Sequence, residues 1–242
     1  MFLKIIRFCR VLGYTLSMFL VTHLIVFLFL FPIGTPLIVM NSRNGPRVKK
    51  SVTGMLFAVI GQRLKVSGLE NLEPGKNYVI VSNYPGSYAG FALMNIFPDA
   101  SILVHSFLSR VPIVGLLLRA TGATFVQQKR LGRTRQAIDE TLERIGGRSI
   151  IILPEGGRSP DGRIRQFKRG FIYILRHSSM DLLPVTLRGF YNLKPKNRPY
   201  LDPDSELECV IHKPISHSDL RSLDNKVLLK TTLDIVESAY RP

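Results

Sequence analysis

The stretch SNYPGSYAG, residues 82–90, follows the apolar run VIVS and precedes a helical pattern, which is where folds of alternating elements keep their chemistry. It offers the hydroxyls of Tyr84, Ser87 and Tyr88 and the amide of Asn83, but no His, Cys, Asp, Glu, Lys or Arg. Ser87 has no recognisable base or nucleophile elbow around it, which sets serine-hydrolase chemistry aside. A second loop of interest closes SIIILPEGG, a strictly apolar run that ends in glycines. His105 stands at the end of a further apolar run, whereas His177, His212 and His217 belong to no motif. Cys9 and Cys209 lack metal-ligand spacing, and the isolated His23 makes no metal site, so no metal centre is expected.

The elements that would position these loops alternate along the chain. LKVSGLENL reads as a short strand and turn, and EPGKNYVIVS as a turn feeding a buried strand. Helix over about 87–97, strand 101–105, helix 110–120, strand 122–128 and helix 131–146 follow. SIIILPEGG is then a buried strand, and a helix near 170–178, the strands LLPVTLRG and LECVIH and a helix over 218–239 complete the order. This predicts an α/β fold with a mostly parallel or mixed sheet flanked by helices. In such a sheet the site lies at the carboxyl ends of the strands, which gathers loops 83–90, 105–110, 127–133 and 154–170.

The first sixty residues read differently. From Val11 to Met40 there is no Asp, Glu, Lys or Arg, and roughly residues 11 to 31 form an apolar stretch long enough to cross a hydrocarbon core. Lys4, Arg7 and Arg10 precede it and Arg43, Arg47, Lys49 and Lys50 follow, so basic residues flank it on both sides. A hairpin that enters one leaflet, turns at Pro32 to Pro36 and returns would keep both flanks on the cytoplasmic face; a single span is the alternative. SVTGMLFAVIG (51–61) would be the returning or surface-lying helix. The expected division is a membrane-associating segment over 1–61 and an α/β domain over 62–242. Lys and Arg number 33 against 17 Asp and Glu, a net charge of +16, which points to anionic membrane lipid as a partner. No RNA-binding signature or zinc spacing supports nucleic acid.

Four ordered blocks carry a resemblance: VSGLENLEPGKNYVIVSNY, FLSRVPIVGLLLRATGATFV, GGRSIIILPEGGRSPDGRIRQFKRGF and LLPVTLRG. Over about residues 62–190 the chain resembles the glycerolipid acyltransferase family, best known through the 1-acylglycerol-3-phosphate acyltransferases. The resemblance implies an α/β domain at a membrane surface that moves a fatty acyl group from acyl-CoA or acyl carrier protein to a lysophospholipid hydroxyl, without a cofactor. In that family a His takes the hydroxyl proton and an Asp five residues later fixes its tautomer, because an alcohol is a poor nucleophile at neutral pH. Here those positions are Tyr84 and Ala89. A phenol with a pKa near 10 is a poor base, and an alanine orients nothing.

The resemblance also makes LPEGGRS (153–159) the substrate-phosphate site, with Gly157 where the family has Thr. Arg158 would grip the phosphate, the amides of Gly156 and Gly157 would approach it, and Ser159 completes the block. Glu155 would hold Arg158 or bind a substrate hydroxyl. Gln127 and Gln128 replace an Asp-Arg pair of the family, and Arg130 is the candidate for the displaced cation, against a plain surface role. His105 is the candidate replacement base, against a packing or surface role. Two functions follow: an acyltransferase with altered machinery, or a lipid-binding pseudoenzyme that keeps the headgroup pocket.

Overall fold

The computed structural model describes residues 6, 9–17, 45–111, 115, 118–119, 121–126, 135–198 and 200–241. In chain order its elements are α1 (Gly45–Val59), β1 (Leu64–Ser67), β2 (Tyr78–Ser82), α2 (Ala89–Ile96), β3 (Ser101–His105), β4 (Thr124–Val126) and α3 (Arg135–Ile145). They continue with β5 (Ile150–Ile152), α4 (Gly170–His177), β6 (Asp181–Arg188), α5 (Phe190–Leu193), β7 (Leu207–Ile211), α6 (His217–Ser222) and α7 (Asn225–Ser238).

The seven strands form one sheet in the order β1-β7-β6-β2-β5-β3-β4. Strands β6, β2, β5, β3 and β4 are mutually parallel, while β7 pairs antiparallel with β6 and carries β1 in its own direction. The sheet is therefore mixed, one of the two forms expected. β2 lies near its middle and is buried along its whole length, as a strand covered on both faces must be. Its residues divide by period two: Ile80 packs with Phe57, Leu93 and Leu187 on one face, and Val79 and Val81 pack with Phe171, Leu182 and Leu228 on the other. Because β5 and β6 flank β2, the loops that leave β2, β5 and β6 emerge side by side at one end of the sheet.

Several expectations need correction. The C-terminal helix is two helices, α6 and α7, because Asp224 is extended (ψ 152°) and its carboxylate caps the Lys226 N–H of a new helix. A short helix, α5, follows β6, entered through Gly189 at φ 78°. The basic flank from residue 45 and the apolar run that follows are not separate segments. Residues 45–59 are one helix, α1, that packs on α2 and buries Lys49, Thr53 and Phe57. Phe57 and Ile60 join the same core cluster as β2, although they precede residue 62.

Residues 9–17 are helical, and this helix docks on the domain through Arg10 to Asp204 at 2.7 Å and through Thr15 Oγ1, which accepts the Leu201 N–H at 3.0 Å. The bulk of the apolar stretch, His23 and Pro32 to Pro36 lie outside the described residues. Among the described residues no helix is long and apolar enough to cross a membrane.

Candidate active site

The site is built on the end of β2. Asn83 is fully buried; its Nδ2 donates to the Leu187 carbonyl at 2.9 Å and its Oδ1 accepts the Leu187 N–H at 2.8 Å. The side-chain amide thus continues the β2–β6 ladder past Ser82 and fixes where Tyr84 begins the loop.

The loop after β5 is stitched to it by a carboxylate. Glu155, 2% exposed, accepts the Tyr84 N–H on Oε1 at 2.6 Å and the Arg165 N–H on Oε2 at 3.0 Å. Burial pushes its carboxyl above the ordinary value, and those two amides and the Arg165 charge pull it back. The Ser159 N–H returns to the Tyr84 carbonyl at 3.0 Å. Glu155 is therefore a clasp between two loops, and it does not hold Arg158. The partner of Arg158 is Ser87, whose Oγ receives Nη1 at 2.7 Å.

The rest of LPEGGRS divides by task. The Gly156 N–H is committed to the Leu153 carbonyl at 3.1 Å in a turn, so it is not turned to a ligand. Gly157 is not required by space: an added Cβ would make only an ordinary contact, with Arg165 Nη1 at 3.7 Å. Ser159 is buried; its Oγ donates to the Arg163 carbonyl at 2.7 Å and accepts the Gly162 N–H at 3.0 Å, bracing the loop from inside.

Neither position that the sequence resemblance would give to a base and its orienting carboxylate holds such a group. Tyr84 packs against the core cluster; burial raises its phenol pKa and Arg158 only partly opposes this, so it stays protonated near neutrality. Ala89 opens α2, has no exposed surface and belongs to the same cluster. His105 is exposed at the end of β3, where Nδ1 accepts the Phe107 N–H at 3.1 Å and caps a turn over Ser106–Arg110. β5 separates β3 from β2, which sets His105 about 10 Å from the Tyr84 strand. The structure thus brings Tyr84, Ala89, Glu155, Arg158 and Ser159 together and leaves His105 apart. Arg130, Gln127, Gln128 and Lys129 lie outside the described residues. Among the described residues no three His, Cys, Asp or Glu side chains converge to hold a metal.

Two residues of this region escape the sequence reading. Asn83 looks there like any polar loop residue, because its partner is 104 positions away. Lys194 follows α5 at the same end of the sheet; the rule that gathers loops at strand ends applies equally to the loop after β6 and would have found it. Beside the site, a cavity of about 100 Å³ is lined mainly by apolar side chains, among them Leu103, Val126, Ile152, Phe171 and Ile174, with Lys168 on its wall.

Comparison with known proteins gives one consistent result. The family profile described as Acyltransferase matches residues 63–188. The chain is 23% identical to the mouse 1-acyl-sn-glycerol-3-phosphate acyltransferase alpha, over 88% of this chain and 77% of that one. It is 31% identical to the 1-acyl-sn-glycerol-3-phosphate acyltransferase of Borreliella burgdorferi, over 57% of this chain and 56% of that one. A chloroplastic enzyme of that name from Arabidopsis thaliana is 27% identical, over 69% of this chain but 48% of its own length. Among solved structures, the crystal structure of the 1-acyl-sn-glycerophosphate acyltransferase PlsC from Thermotoga maritima superposes with a TM-score of 0.77 at 24% identity, covering 96% and 95% of the two chains. That likeness concerns the fold.

Proposed function

We propose, from the premise that this chain belongs to the acyltransferase family, that it esterifies the free hydroxyl of a lysophosphatidate-type acceptor with a fatty acyl group from acyl-CoA or acyl carrier protein. The observation that carries this reading is Arg158: it is aimed by Ser87 at the mouth of the 82–90 loop and has no carboxylate partner among the described residues. A guanidinium so placed suits an acceptor phosphate. The relatives named above carry the matching activity in their names.

In the reaction the acceptor oxygen forms the ester bond, the thioester C–S bond breaks, and the hydroxyl proton ends on the departing thiol. No cofactor takes part. With Tyr84 protonated and no base positioned beside it among the described residues, the rate rests on orientation and on charge placed near the phosphate, and it lacks the factor of about 10² to 10⁴ that a positioned base supplies. The neighbouring apolar cavity suits part of an acyl chain, and the exposed Arg163, Arg165, Lys168 and Arg169 suit an anionic donor.

The reaction is assigned to the cytoplasmic face of a membrane. Support comes from the net charge of +16, the apolar run after Val11, and the exposed Leu12, Leu16, Met55 and Phe91 on the helix over 9–17, α1 and α2. The competing reading, a lipid-binding relative without catalysis, is favoured by one observation: Ala89 is wholly buried where a carboxylate would be needed. Incubation with lysophosphatidate and either thioester, followed by mass spectrometry, decides between them: acylated product supports transfer, and bound lipid without product from either donor leaves only binding.

A further inference from the structure

The residues matched by the family profile end at Arg188, and the segment that follows lies beyond that match but against the site. Gly189 turns the chain into α5, whose last turn leads to Lys194. This segment lies directly on the 82–90 loop: a Cβ at Gly86 would come within 2.3 Å of the Phe190 carbonyl oxygen and 3.1 Å of that of Lys194. Only glycine admits so close an approach, and Gly86 immediately precedes Ser87, the partner of Arg158. The backbone of Lys194 thus rests on the loop that the Arg158 guanidinium reaches through Ser87.

The charges around this point are answered unequally. Arg198 lies over the Tyr200 ring at 4.8 Å and reaches Asp202 at 4.0 Å. Lys194 donates from Nζ to the Arg198 carbonyl, which leaves two of its three ammonium hydrogens for another partner. Neither Lys194 nor Arg158 has a carboxylate partner among the described residues. Glu155, the nearby buried acid, is engaged by backbone amides. The cations feel one another: burial first, then Arg158 and Arg198, hold the Lys194 ammonium below its ordinary value. Two like charges gathered on one loop without a counter-charge favour an anion that bridges them.

We infer that Lys194 is the second cation of the headgroup site, and that with Arg158 it selects acceptors bearing a dianionic phosphate monoester over those bearing a monoanionic phosphodiester. This rests on the acyltransferase reading for the identity of the ligand, and its test is read by binding, so the two can fail separately.

The test uses the full chain in detergent micelles and titration calorimetry with two lipids of the same acyl chain, lysophosphatidate and lysophosphatidylglycerol. The wild-type chain is expected to bind the monoester about tenfold more tightly, Lys194→Met to narrow that ratio to about twofold with diester binding unchanged, and Lys194→Arg to keep it. A Lys194→Met protein that retains the wild-type ratio overturns the inference, as does a wild-type chain with no preference. Equal loss of both lipids in a variant with an unchanged circular dichroism spectrum also overturns it, because Lys194 is then a structural pin through the Arg198 carbonyl. A persistent binding preference without any acylated product overturns the reaction and leaves the cation pair standing.

Discussion

Tyr84 and Ala89 stand, five residues apart, where the sequence resemblance would place a base and its orienting carboxylate, and both pack against the core. A carboxylate added alone at Ala89, which has no exposed surface, would be buried without a partner, so Ala89→Asp is expected to lower stability by about 1–3 kcal/mol in chemical denaturation. Adding Tyr84→His should return part of that loss, since a histidine supplies a hydrogen-bond partner; a strictly additive double mutant would separate the two positions. Glu155 provides a second residue-level expectation. Its carboxyl is raised by burial, so the folded chain holds that proton more readily than the unfolded one, and its own contribution to stability grows as pH falls through the folded value. Glu155→Gln should flatten that trend and, by opposing an amide to one backbone N–H, cost about 1–3 kcal/mol. For Arg158, whose Nη1 rests on Ser87, replacement by Ala is expected to weaken lysophosphatidate binding by about tenfold or more in calorimetry.

At the scale of elements, α1 is fastened by a buried amine. Lys49 Nζ donates to the Ala100 carbonyl at 3.0 Å, and burial, with Arg148 adding and Asp99 opposing, lowers its pKa to about 8 from 10.5. Between those values the unfolded chain binds more protons than the folded one, so stability should rise as pH climbs from about 8 to 10.5. Melting curves of Lys49→Met over that range should lose the slope. The sequence makes the strands legible where they are apolar and bounded by turns: β2, β3, β6 and β7 fall where YVIVS, SILVH, LLPVTLRG and LECVIH put them. The break between α6 and α7 was hidden because Leu220 and Leu228 keep helical spacing across Asp224, and only the extended backbone there shows that Asp224 starts a new helix. The candidate site is legible in part for a related reason. Single-stranded motifs announce Tyr84, Ala89 and Arg158, but the pairings that give them meaning join positions 71 and 104 residues apart, through the adjacency of β2 with β5 and β6.

For the whole molecule, the same sheet end carries Arg158, Lys194 and the exposed Arg163, Arg165, Lys168 and Arg169, within a chain of net charge +16. Binding to vesicles containing anionic phospholipid should therefore weaken steeply between about 50 and 200 mM salt while apolar contact retains a residue of it; salt-independent binding would remove charge from the account. Whether that surface serves transfer or binding alone turns on the reagents present. The most direct measurement is the rate of lysophosphatidate acylation by the wild-type chain beside Tyr84→His with Ala89→Asp, each with acyl-CoA and with acyl carrier protein. Slow product formation above the protein-free control is expected in the wild type, with a rise of about 10² to 10⁴ in the double variant. A wild type indistinguishable from the control, with a folded double variant equally inactive, would contradict it.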